Sequence, residues 1–93
     1  MTRHYLIASS MRDAMTTASI DYGWLPKPGG RGAVFTNGDG EDVHLVSAPE
    51  RLRGVRPSSA IYLGHDWWRV SGMKERVLQH RAMGGKTLPE ETK

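Results

Sequence analysis

Four residues carry the polar groups from which a reaction or a ligand cradle is most readily built. Ser9 and Ser10 follow an apolar run that begins at Tyr5, and His65 and Asp66 follow another that begins at Ala60. A hydroxyl, an imidazole and a carboxylate supply a nucleophile with its base, or a set of donors and acceptors for a phosphate or a ribose. In open α/β sheets ligands gather outside the carboxyl ends of parallel strands. If the two runs are parallel neighbours, Ser9, Ser10, His65 and Asp66 form a candidate ligand rim. A plainer reading has more weight: Ser10 caps a helix, Ser9 serves a turn, and adjacent strand-end residues such as His65 and Asp66 point to opposite faces.

A second constellation is aromatic and basic. Trp67, Trp68 and Arg69 stand together, and the densest basic cluster, Arg51, Arg53 and Arg56, precedes them. Trp and Arg are the residue types enriched at interface hot spots. Alternation beyond a strand buries one tryptophan and exposes its neighbour, so the six residues form a candidate partner-binding edge. Covering the core from its rim is an equally good use of large aromatics in a small domain. Nucleic-acid binding would spend the same arginines on phosphates, with an indole for stacking. On the second helix the basic residues are spread around the circumference, which favours a solvated face.

Other motifs fail on inspection. "GGKT" at 84–87 ends like a phosphate loop, but the pattern needs glycine where His80 stands, and it follows a helix where a strand is required. "NGDGED" from Asn37 has Asp42 at the sixth position of a calcium loop and Ala48 at the twelfth, where glycine and glutamate belong. "GGRG" between Pro28 and Ala33 has no following helix for an anion to cap. His4, His44, His65 and His80 lack the short spacing of a zinc unit, and the chain has no cysteine. No metal or cofactor is assigned.

The elements that must position these groups are legible in outline. A strand ends near Ala8. Ser10 caps a helix with Asp13 at the third position, and Met11, Ala14, Met15, Ala18 and Tyr22 form its stripe up to Gly23. "GWLPKPGGRG" is a loop. "AVFTNGDGEDVHLV" predicts a hairpin turning on Asn37-Gly38 and Asp39-Gly40. Ser47 and Pro49 open a short helical turn that Gly54 ends, with Leu52 and Val55 inward. Ala60 to Leu63 predicts an interior strand. A last helix runs from Ser71 or Gly72 to Met83 with Val70, Met73 and Val77 as its stripe, and the segment from 87 to 93 predicts a frayed tail.

Ninety-three residues build one domain. The net charge of +3 and pI of about 9.6 permit nucleic-acid contact without requiring it. The mean hydropathy of −0.53 and 11 glycines indicate long loops around a modest core. No apolar run reaches the ~18 residues of a membrane span, and Asp13 arrives too early for a secretory leader. The expectation is a cytoplasmic protein with no membrane partner.

"ERLRGVRPSSAIYLGHDWW" resembles the stretch before and through the Walker B strand of phage terminases and helicases, in which strand-end acids hold magnesium. The likeness covers about a fifth of the chain. It departs in lacking a usable phosphate loop and in having His65-Asp66 where paired acids stand, which speaks against ATP hydrolysis. The whole chain also resembles small orphan accessory proteins of actinobacteriophages, of the mycobacteriophage type, in its "HYLIAS" strand, its helix beginning "D-A", its "LRG" turn and its "WW" strand end. That resemblance implies a non-enzymatic protein that binds and modulates a host protein in the bacterial cytoplasm.

The sequence therefore predicts a single α/β domain over 1–86, a Rossmann-like layer with a four-stranded mixed sheet and two main helices. Its expected role is binding a host bacterial protein through Trp67, Trp68, Arg69, Arg51, Arg53 and Arg56. Nucleic-acid binding through Arg51, Arg53 and Arg56, and a degenerate nucleotide or phosphate pocket without hydrolysis at Ser9, Ser10, His65 and Asp66, are the alternatives.

Overall fold

The computed structural model describes residues 3–88. Strand β1 (His4–Ile7) leads into helix α1 (Met11–Thr16), which widens into a π turn (Thr17–Asp21). Strands β2 (Leu25–Pro26), β3 (Val34–Thr36) and β4 (Asp42–Val46) follow, then a 3₁₀ turn (Pro49–Leu52) and strand β5 (Ala60–Leu63). A second 3₁₀ turn (Trp67–Arg69), helix α2 (Met73–Ala82) and strand β6 (Lys86–Leu88) complete the order.

The strands form one mixed sheet in the order β2-β3-β4-β1-β5-β6. β1 lies parallel to both β4 and β5, and β5 parallel to β6, while β2, β3 and β4 pair antiparallel. Six strands stand where four were expected. The extra two are edge strands of two and three residues, too short to carry a period of two. β2 lies inside the proline-rich loop, where Pro26 is tolerated because an edge strand needs no donor there. β6 takes Thr87 and Leu88 out of the expected tail and buries Thr87. The rest of that expectation, 89–93, lies outside the described residues.

Alternation along the parallel strands divides the core in two. Leu6 and Ala8 of the first strand segment, with Val43 and Leu45, face α1 and pack with Ala14, Ala18, Trp24 and Phe35. Ile7, Val46 and Ile61 face the other way and pack with Leu52, Met73 and Val77. The result is three layers, with α1 on one face and α2 and the Pro49–Leu52 turn on the other.

Helix boundaries follow local chemistry. Ser10 is extended, and its Oγ accepts from the Asp13 amide at 3.1 Å. Gly23, at φ +69°, ends the helix as expected. Between them the expected stripe is displaced. Thr17 is buried and Met11 and Met15 are 37% and 42% exposed, so Ala14, Thr17 and Ala18 make the contact face. The Thr17 hydroxyl donates to the Asp13 carbonyl at 2.9 Å, and the Tyr22 amide reaches back to the Thr17 carbonyl at 3.0 Å. Threonine back-bonding of this kind loosens helical geometry, and the turn widens behind it.

The β3–β4 loop is organised by Asn37, which is buried. Its Oδ1 accepts from the Asp39 and Glu41 amides at 3.0 and 2.9 Å, and its Nδ2 donates to Glu41 Oε1 at 3.0 Å. Gly40 has positive φ and Gly38 does not, so the hairpin turns on one glycine where two were expected. α2 begins after Gly72 and ends before Gly84, both in the left-handed region. Val70, Met73 and Val77 face the core as the spacing predicts, joined by His80.

Candidate functional site

The chain leaves β1 for β4 on one side and then returns past β1 to β5 on the other. The reversal opens a crevice beyond the carboxyl ends of β1 and β5. Here the backbones draw close. The Gly64 amide donates to the Ile7 carbonyl at 2.7 Å, and the Ser9 amide donates to the His65 carbonyl at 3.1 Å. A Cβ on Gly64 would stand 2.7 Å from the Ile7 oxygen and 3.2 Å from the Ala8 Cβ, so only glycine fits. The His65 amide donates to Thr17 Oγ1 at 3.3 Å, which seats the loop on the π turn.

The expected rim therefore converges as backbone, while its side chains are committed elsewhere. Ser9 donates its hydroxyl to the Asp13 carboxylate, and Ser10 caps α1. The His65 imidazole lies 2.7 Å from Asp21 Oδ2, and the Asp66 carboxylate 4.0 Å from the Arg69 guanidinium. The expected placement of His65 and Asp66 on a strand end is corrected: Asp66 is left-handed at φ +53°, so strand alternation no longer relates the two. Serine and imidazole face different carboxylates and do not form a nucleophile with its base. The His65–Asp21 pair is about half exposed on both sides, so water screens it to roughly 0–1 kcal/mol.

A cavity of about 350 Å³ opens here, lined by Thr17, Asp21, Tyr22, Leu63, Gly64 and His65. Burial first, then the neighbouring Tyr62 and Asp21, pushes the Tyr22 phenol above its ordinary range, so it remains a donor at neutral pH. Asp21 and Thr17 were not singled out from sequence, and Tyr22 only as the last member of a helical stripe. Only the π turn gathers them, and nothing in a helical repeat announces one.

The Trp67–Arg69 segment is a 3₁₀ turn, where a strand end was expected. One indole is nevertheless covered and the other presented, by the turn itself. Trp67 packs against the core beneath α2, and Trp68 is 48% exposed with the Arg69 guanidinium carbon 5.3 Å from its ring centroid. The Arg69 amide donates to the Asp66 carbonyl at 3.0 Å, closing the turn. Asp66, Trp68 and Arg69 thus make one unit standing on Trp67.

The arginines of the expected patch do not join it as one surface. Arg51 lines a groove of about 450 Å³ with Arg3, Tyr5 and His44. Arg56 lines a separate cleft of about 350 Å³ with Arg76, Gln79 and His80, and Arg53 is exposed. In the first groove the Tyr5 and His44 rings are 6.1 Å apart and tilted by 40°. Burial, and then the nearby Arg3, holds the His44 imidazole below its ordinary range, opposed by Asp42 and reinforced by Lys27.

The other two histidines are structural ties. His4 Nδ1 accepts from the Ala60 amide at 2.9 Å, which places its proton on Nε2, 3.0 Å from Glu41 Oε2. His80 Nε2 meets the Ser59 carbonyl at 2.9 Å and must donate, leaving a buried, unpartnered Nδ1. Among the described residues no three His, Asp or Glu side chains gather into a group able to hold a metal ion. Among the described residues no helix is long and apolar enough to cross a membrane.

No protein-family model matches the chain, no curated protein matches it, and no solved structure matches it. The reading of function therefore rests on the chain's own chemistry.

Proposed function

We propose that the protein is a small, non-enzymatic accessory protein that acts by binding another protein, a bacterial host protein on the phage resemblance, through Trp68 and Arg69. The observation that carries this reading is the half-exposed Trp68 with Arg69 over its ring, on a turn whose other indole is partly buried against the core. An aromatic anchor already held in place loses little conformational entropy on binding. A guanidinium beside it selects a partner surface with a carboxylate at the edge of an apolar hollow. Asp66 supports the same reading, since a non-glycine residue persists in the left-handed region only where its surroundings fix the turn.

Recovery of partners from an actinobacterial lysate tests it. The native chain is expected to retain a defined protein through a high-salt wash, and Arg69→Glu to lose it. Recovery that collapses with salt and with nuclease treatment would instead favour the nucleic-acid alternative.

A second reading is a Rossmann-like domain that binds a phosphate or nucleotide without hydrolysis. It is favoured by the crevice at the β1–β5 reversal. The carboxylates of Asp13 and Asp21 in and beside that crevice oppose an anion, which ranks it below protein binding. Thermal unfolding with a panel of nucleotides separates the two, because a ligand of the native state raises Tm.

A further inference from the structure

The face of the sheet that carries α2 is not covered along its whole width. Met73 and Val77 of α2 and Leu52 of the 3₁₀ turn cover Ile7, Val46 and Ile61. Tyr5 and His44 project from the same face, because each alternates with residues of the opposite core. They are register partners on adjacent parallel strands, both half-buried, and they form the floor of the 450 Å³ groove.

Cations stand at both ends of that floor. Arg3 precedes β1 and is level with Asp42, given that His4 pairs with Val43. Arg51 enters from the turn beyond Val46. Four residues of strand separate these levels, about 13 Å at ~3.3 Å per residue. Both arginines are exposed and neither takes part in an ion pair among the described residues, while the nearest strand carboxylate, Asp42, is held by Lys27. Paired rings on a sheet face, flanked by free arginines, are the physical requirements of base stacking with phosphate neutralisation.

We infer that this groove binds a single strand of nucleic acid, with a base stacked on the His44 imidazole, the Tyr5 ring inclined beside it, and the phosphates on either side held by Arg3 and Arg51. A strand carries a phosphate on each side of a base and a free mononucleotide on one, so cations at both ends fit the strand. A duplex keeps its bases paired and offers no free face to the rings. The inference uses residues apart from Trp68 and Arg69 and does not rest on the protein-binding reading.

Fluorescence anisotropy with a labelled single strand of about twelve nucleotides tests it, titrated between about 50 and 200 mM salt. Saturable binding is expected. His44→Ala is expected to weaken it by roughly 5- to 150-fold, the range for loss of one stacking partner. Arg3→Ala and Arg51→Ala, both at exposed positions, are each expected to reduce the slope of log affinity against log salt by about 0.7. Thermal unfolding of each variant confirms that the fold is kept. The inference is overturned if no strand binds, if binding ignores both arginine substitutions, or if a duplex or a nucleoside monophosphate binds as tightly as the strand.

Discussion

Gly64→Ala isolates the backbone contact on which the β1–β5 crevice depends. Gly64 is not among the glycines with positive φ, so the local backbone accepts alanine. On that ground alone the change would stabilise the protein by about 0.4–1 kcal/mol, by narrowing the unfolded ensemble. The structure reverses the sign. The new methyl would stand 2.7 Å from the Ile7 carbonyl oxygen, a backbone atom that cannot rotate away, and 3.2 Å from the Ala8 Cβ. Relief requires β1 and β5 to part where the Gly64 and Ser9 amides make their bonds. Overpacking costs about 1–3 kcal/mol, and weakening two backbone hydrogen bonds adds about 1–3 kcal/mol. Subtracting the gain leaves a net loss of about 1–5.5 kcal/mol, a large share of the stability of an ordinary small domain. Urea unfolding is the assay, with a lower midpoint and an unchanged m-value expected. Gly38→Ala is the control, because its Cβ meets nothing within 4 Å and its φ is not positive. Equal or greater stability for Gly64→Ala would refute the argument.

Three further outcomes follow from contacts elsewhere in the fold. Gly85→Ala drives a methyl into the His80 imidazole, displaces the ring from the Ser59 carbonyl, and is expected to cost about 2–5 kcal/mol; a double-mutant cycle with His80→Ala should show that cost largely removed once the ring is gone. Asn37→Asp replaces the amide that donates to Glu41 with a second carboxylate, so a loss of about 1–3 kcal/mol at neutral pH is expected by denaturant titration, shrinking as acid neutralises the pair. His44 has a folded pKa below its ordinary 6.5, so stability is intact above about that pH and declines as pH falls from there towards the folded value. Burial is the larger cause of the shift, with Arg3 and Lys27 adding to it and Asp42 opposing it, and His44→Gln should flatten this part of the stability profile.

The elements with local chemical punctuation were legible in the sequence. Ser10, Gly23 and Gly84 mark helix ends through capping and left-handed geometry, the unbroken apolar run from Ala60 marks an interior strand, and Leu52 and Val55 turn inward at their spacing. The expected convergence of Ser9 with His65 also holds for the backbone, since β1 and β5 are parallel neighbours. Sequence spacing does not reveal which partner a side chain will choose. Ser9 chooses Asp13 four residues on, and His65 chooses Asp21, which only the Thr17–Asp21 π turn brings within reach. β2 and β6 escaped because two or three residues carry no period. The Tyr5–His44 pairing escaped because parallel register is set by the tertiary fold. The division of Arg51 from Arg56 has the same origin: residues close in sequence diverge once a 3₁₀ turn and a loop separate them.

The most direct test of the docking account compares Trp68→Ala with Trp67→Ala for stability and for partner recovery from an actinobacterial lysate. Trp68→Ala is expected to stay within about 1 kcal/mol of the native chain and to recover no partner. Trp67→Ala is expected to lose about 2–4 kcal/mol, since it removes a partly buried indole from the core. A Trp68→Ala chain that still retains the native partner, or that unfolds as readily as Trp67→Ala, would contradict the account.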